Sequence, residues 1–120
     1  MHEIFHYETK SGKNVFAEWV ESLRDVKAAA RIAARIERLS RGLFGDCRHV
    51  GDSVWELRVD WGAGYRVYYS KIDNQIVLLL SGGDKSKQQS DIESAIENLK
   101  DWKNRNGKAP TMAKGTIRKP

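Results

Sequence analysis

The chain has little of what secreted, membrane-spanning or thiolate-metal proteins need. Of its 120 residues one is cysteine, Cys47. A lone thiol forms no intramolecular disulfide and no cysteine zinc site, so a reducing cytoplasm is the expected compartment. Cys47 itself reads as a passive thiol near a loop. The longest apolar run, Ile76–Leu80, is far too short to cross a bilayer. The opening MHEIFHYETK has no basic stretch followed by an apolar one, so no secretory signal is expected. The three histidines, His2, His6 and His49, show no metal-ligand spacing with carboxylates or with Cys47. No serine sits in a nucleophile elbow, and the chain has no internal repeat. Neither a metal nor a cofactor is expected.

What is present fits one domain with a modest core. The net charge of +5 is uneven. Residues 1–102 hold 15 Lys+Arg against all 16 Asp+Glu, a balance of −1. Residues 103–120 hold Lys103, Arg105, Lys108, Lys114, Arg118 and Lys119 with no acid, a balance of +6. A basic total suggests nucleic acid. Here the suggestion has to come from local patches, because the surplus lies at the end of the chain.

Residues 3–8 alternate like a strand. Residues 13–24 place Val15, Phe16, Trp19, Val20 and Leu23 at helical spacing, with Ser11 able to help cap the start. Asp25 can cap a second helix over 26–41, striped by Val26, Ala29, Ile32, Ala33, Ile36 and Leu39 and ended by Gly42. Residues 43–53 read as a loop with room for a short strand. Residues 54–61 alternate cleanly, Gly62-Ala63-Gly64 suits a three-residue hairpin turn, and 65–72 form the return strand. Asp73-Asn74 makes the next turn. Residues 75–83 have a continuous apolar centre and predict a central strand buried on both faces. A last helix is expected over 87–104. From Gly107 onward there is no periodicity, which predicts a mobile tail. The fold class is α+β, with helices packed on a small antiparallel sheet.

Alternation puts Glu56, Arg58 and Asp60 on one face of their strand. With Gly62–Gly64 as the loop, Trp61 pairs with Tyr65, Asp60 with Arg66, Arg58 with Tyr68 and Glu56 with Ser70. Two strand-borne guanidiniums suit phosphate, because their forked donors match its oxygens. Tyr68 could stack on a base. The same residues also fit plain cross-strand ion pairs on a solvated sheet. Lys85 follows two glycines in Ser81-Gly82-Gly83-Asp84-Lys85-Ser86, which permit close backbone approach or a turn, and emerges near the edge of that face; the segment lacks P-loop spacing, and a strand-to-helix connection capped by Asp84 or Ser86 is the plain alternative. The second helix carries Arg24, Lys27, Arg31, Arg35 and Arg38 at spacings of 3, 4, 4 and 3. That stripe fits an RNA or DNA backbone, a solvated face or an acidic protein partner.

The run WELRVDWGAGYRVYY followed by LLLSGGDKSKQQSDIESA resembles the HigB-like addiction-module killer proteins of the RelE/ParE toxin superfamily. ARIAARIERLSRGLFGD and HVGDSVWELR fit the same pattern, which covers about residues 3–103. The resemblance implies a RelE/ParE-like β-α-α-β-β-β-α toxin domain over 1–103, with residues 104–120 as a basic tail outside the pattern. It implies the toxin of a type II toxin–antitoxin system, with a cognate antitoxin of helix-turn-helix type as partner. For RelE- and HigB-type members it implies metal-independent cleavage of mRNA on the ribosome. Carried over, Arg58, Arg66 and Lys85 are the catalytic candidates. Glu56 and Tyr68 orient or stack on RNA, and Lys27, Arg31, Arg35 and Arg38 grip ribosomal RNA. ParE-type members instead inhibit DNA gyrase and cut nothing, and a nontoxic nucleic-acid-binding module is a third possibility. No general base is evident from the sequence.

Overall fold

The computed structural model describes residues 1–106. The chain runs β1 (Glu3–His6), α1 (Val15–Ser22), α2 (Val26–Ser40), β2 (Cys47–Gly51), β3 (Val54–Val59), β4 (Tyr65–Ile72), β5 (Ile76–Asp84), a 3-10 turn (Lys85–Lys87) and α3 (Gln88–Asn106). The five strands form one sheet in the order β1-β5-β4-β3-β2. The fold is α+β, but the sheet is mixed. β1 pairs with β5 in parallel, Glu3 beside Ile76 and His6 beside Leu79; between them α1 and α2 take the chain to β2 at the far edge, and three antiparallel steps bring it back to β5.

Each element has a local cause. Asn14, not Ser11, caps α1 by accepting the Ala17 amide at 3.0 Å. Asp25 caps α2, accepting from the amides of Lys27 and Ala28. Gly42 ends that helix with φ +82°. Asp73 and Asn74 both adopt positive φ, and the Gln75 amide closes onto the Ile72 carbonyl, a mirror-image turn that matches strand twist. Residues 47–51, read mainly as loop, form β2, the edge strand beside β3.

The sheet is covered on both faces. α1 and α2 bury Phe16, Ile32 and Leu39 against Leu57, Val59, Val67, Tyr69, Val77 and Leu79. α3 buries Ile92, Ala95, Leu99 and Trp102 against Val54, Tyr68, Leu78 and Leu80. Each large side chain buried this way contributes roughly 1.5–3 kcal/mol of apolar transfer. β5, between β1 and β4, has Val77, Leu78, Leu79 and Leu80 fully buried, as its apolar run predicts.

Two boundaries move. The β3–β4 connection spans residues 60–64, not 62–64, so Val59 pairs with Tyr65, Arg58 with Arg66 and Glu56 with Tyr68. Trp61 is drawn out of the ladder toward α2: its Nε1 donates to Asp25 Oδ2 at 3.1 Å, and the Arg31 guanidinium lies 3.9 Å from its ring centre. The shift is by an even count, so every side chain keeps its face. α3 continues to Asn106, so residues 104–106, assigned to the basic tail, belong to the helix. There Arg105 bonds Asp101 at 2.7 Å and the Glu8 carbonyl at 2.5 Å. The remaining tail, 107–120, lies outside the described residues. No helix among the described residues is long and apolar enough to cross a membrane.

Candidate nucleic-acid interface

Arg58 on β3 and Arg66 on β4 face each other directly across the ladder. The Lys85 amide donates to the Gly64 carbonyl at 3.1 Å, and its aliphatic stem lies across Gly64, where a Cβ would touch it at 3.4 Å. Gly64 has φ +82°, which favours glycine and leaves the space that the lysine crosses. Together Asp46, Arg58, Val59, Asp60, Gly64, Arg66 and Lys85 line a pocket of about 260 Å³. Three cations and two carboxylates meet there, a formal balance of +1.

The two arginines differ in setting. Arg58 is exposed, and its Nε and Nη2 donate to Asp46 Oδ1 at 3.2 and 3.0 Å. That hydrogen-bonded carboxylate raises the Arg58 pKa. Arg66 is only 13% exposed, and its Nε lies 3.6 Å from Glu56 Oε2, too long for a hydrogen bond. The Arg66 Nε is buried and has no hydrogen-bond partner.

Glu56 and Tyr68 lie on the expected face, but that face is not solvated. α3 covers it, and both residues are 0% exposed. The Tyr68 hydroxyl donates to Glu56 Oε2 at 3.1 Å, and burial followed by the Glu56 charge pushes its pKa up. Stacking of Tyr68 on a base is therefore ruled out in this arrangement, and so is direct contact of Glu56 with RNA, because α3 stands in the way. The cross-strand ion-pair reading holds in part: Glu56 pairs with Arg48 and Arg66, but on a covered face, and Arg58 pairs with Asp46, not Glu56.

The α2 stripe joins the pocket only in part. Arg35 donates to the Arg58 carbonyl at 2.8 Å, which ties α2 to the pocket rim. Arg35 and Arg38 line a second, open hollow with Gly42, Leu43, Phe44, Gly45 and Asp46. Asp46 is common to both hollows. Arg31 packs on Trp61, while Lys27 is exposed at the start of the helix. Lys27 therefore lies along the same helix as the hollows without lining either.

Three participants were not singled out from the sequence: Asp46, Arg48 and Gln88. Arg48 on β2 and Gln88 at the start of α3 both bond Glu56, at 3.0 and 2.8 Å. Asp46 sits in a segment without periodicity, and nothing local marks it. Among the described residues no three His, Cys, Asp or Glu side chains converge to hold a metal ion.

The fold and the pocket define a small α+β protein with a cationic cleft at one end of its sheet. No protein-family model matches the sequence. A protein of Haemophilus influenzae described as uncharacterized is 49% identical over 80 residues, which is 67% of this chain and 81% of that protein. The chain belongs to the family of that Haemophilus protein.

Proposed function

We propose that this protein is a RelE/ParE-like toxin that cleaves mRNA on the ribosome, with a cognate antitoxin as its partner. The observation that carries the reading is the convergence of Arg58, Arg66 and Lys85 on one pocket from two adjacent strands and the turn beyond a third. Three cations around one small hollow supply positive charge where a phosphodiester gains negative charge in a pentacoordinate state. Further support comes from the path beyond the pocket. Arg35 and Arg38 continue the positive surface along α2 through the hollow that shares Asp46, a track suited to the next stretch of RNA backbone.

In the proposed chemistry the ribose 2′-hydroxyl attacks the adjacent phosphorus, the 2′-O–P bond forms and the P–O5′ bond breaks. Arg58 and Arg66 stabilise the extra negative charge, and Lys85 supplies charge or a proton to the leaving 5′-oxygen. Asp46 and Asp60 are the pocket-lining groups able to accept the 2′-hydroxyl proton. Asp46 would have to release Arg58 as the phosphate enters. With no preformed acid–base pair of histidines, the ribosome supplies much of the alignment by ordering the message.

The test is induced expression with mapping of transcript 5′ ends. Cuts inside translated codons, absent when translation is blocked, support the reading. Arg66→Ala and Arg58→Ala should each lower cutting by about 10²-fold, the usual effect of removing one oxyanion donor. Both variants should keep the wild-type circular dichroism spectrum and relieve growth arrest. Intact mRNA together with DNA-damage signalling would instead assign the pocket to a gyrase-inhibiting role.

A further inference from the structure

We infer that Glu56 is a positioning residue, which holds Arg66 so that its outer guanidinium nitrogens face the phosphate pocket, and that Gln88 of α3 sets Glu56 in turn. The inference rests on the reading of the pocket as a phosphate site and adds how that site is kept in shape.

The observations form a chain of contacts. The Glu56 side chain is fully buried on the α3 face of the sheet. Its Oε1 accepts from Arg48 Nε at 3.0 Å, and its Oε2 accepts from Tyr68 at 3.1 Å and from Gln88 Nε2 at 2.8 Å. The same Oε2 is the anion nearest the buried Arg66 Nε, at 3.6 Å. A guanidinium drawn by charge toward a carboxylate on its Nε side keeps its terminal nitrogens free to meet a phosphate fork. Arg66 lines the pocket while its Nε is shut off from solvent, so what it offers to the pocket lies beyond Nε.

Stability alone is a poor reason for this arrangement. A fully buried carboxylate has a desolvation cost, and apolar replacements of buried ion pairs are often neutral or stabilising. A single rotamer for an arginine that must meet a phosphate is a functional reason. Glu56 does not itself line the pocket, so it acts through Arg66 and not on the substrate.

The full-length protein tests this, with arginine side chains labelled with nitrogen-15 and inorganic phosphate as probe. The Arg66 Nε–Hε resonance is assigned by its loss in Arg66→Lys. In the wild type it should stand apart from free arginine. In Glu56→Gln it should move to the free-arginine position, and phosphate affinity should fall about 10- to 100-fold, the range seen at metal sites when a group orienting a ligand is lost. Gln88→Ala, which keeps the carboxylate, should shift both readouts in the same direction by less, and it serves if Glu56→Gln fails to fold. Arg48→Ala removes a partner of the far oxygen and should leave the Arg66 resonance in place. An unmoved Arg66 resonance with unchanged phosphate affinity in a folded Glu56→Gln or Gln88→Ala protein overturns the inference. Failure of the wild type to cut RNA would leave both readouts standing and remove only the RNA reading.

Discussion

At the scale of single residues, the site was legible where side-chain direction alone decides. Alternation gave the shared face of Glu56, Arg58, Arg66 and Tyr68, and it survived a wrong loop length because the ladder slipped by an even count. Depth was not legible. Whether a strand face is wet or covered depends on a helix far along the chain, and nothing within residues 54–68 announces α3 above Glu56 and Tyr68. The glycines carry another residue-scale lesson. At Gly82 on β5 the Trp19 ring of α1 occupies the space a Cβ would need. Gly82→Ala should therefore push α1 off β5 and cost about 1–3 kcal/mol, as overpacking of a filled core does. Chemical denaturation measures this, and a midpoint equal to wild type would contradict it. Gly83 is less rigidly guarded: its Cβ space is held by the Asp91 carboxylate, a side chain that can rotate away.

At the scale of elements, helices and long strands were readable because their periodicity is local. β4, over Tyr65–Ile72, is where the alternating run predicts it. β2 was harder, since Cys47–Gly51 is a short edge strand whose residues gain their pairing only from β3. The α2 stripe was visible as a spacing, yet its members separate in the fold. Arg35 and Arg38 line the hollow beside the pocket, Arg31 packs on Trp61, and Lys27 stands apart at the helix start. A graded effect follows. Arg38→Ala should lower the slope of log affinity against log salt for a single-stranded RNA by about 0.7, the value for one lost phosphate contact. Lys27→Ala should change it less. Fluorescence anisotropy over a salt series checks this, and equal slopes for wild type and Arg38→Ala would remove α2 from the RNA track.

At the scale of the whole molecule, the parallel β1–β5 pairing was not legible, because no local pattern states that the first strand will lie beside the last. The joint between them also gives the fold a response to acid. His6 on β1 packs edge-on against Phe16, its ring centroid 5.4 Å away, and its Nδ1 accepts from Asn14 Nδ2 at 2.8 Å. Burial lowers its pKa below the ordinary 6.5, and the Glu8 charge offsets this only in part. The folded state thus binds fewer protons than the unfolded chain below that value, so this contribution falls as pH drops through 6.5 toward the lowered pKa, and then levels off. Thermal melts across that range should show the loss, and His6→Gln should flatten it. The closing links of the fold come late in synthesis. β1 waits for a partner that begins at Ile76, and Glu56 waits for Gln88. A nascent chain leaving the exit tunnel therefore carries both arginines before it has the helix that orders one of them. Its cleft is finished only when α3, which follows every strand of the sheet, has also left the tunnel.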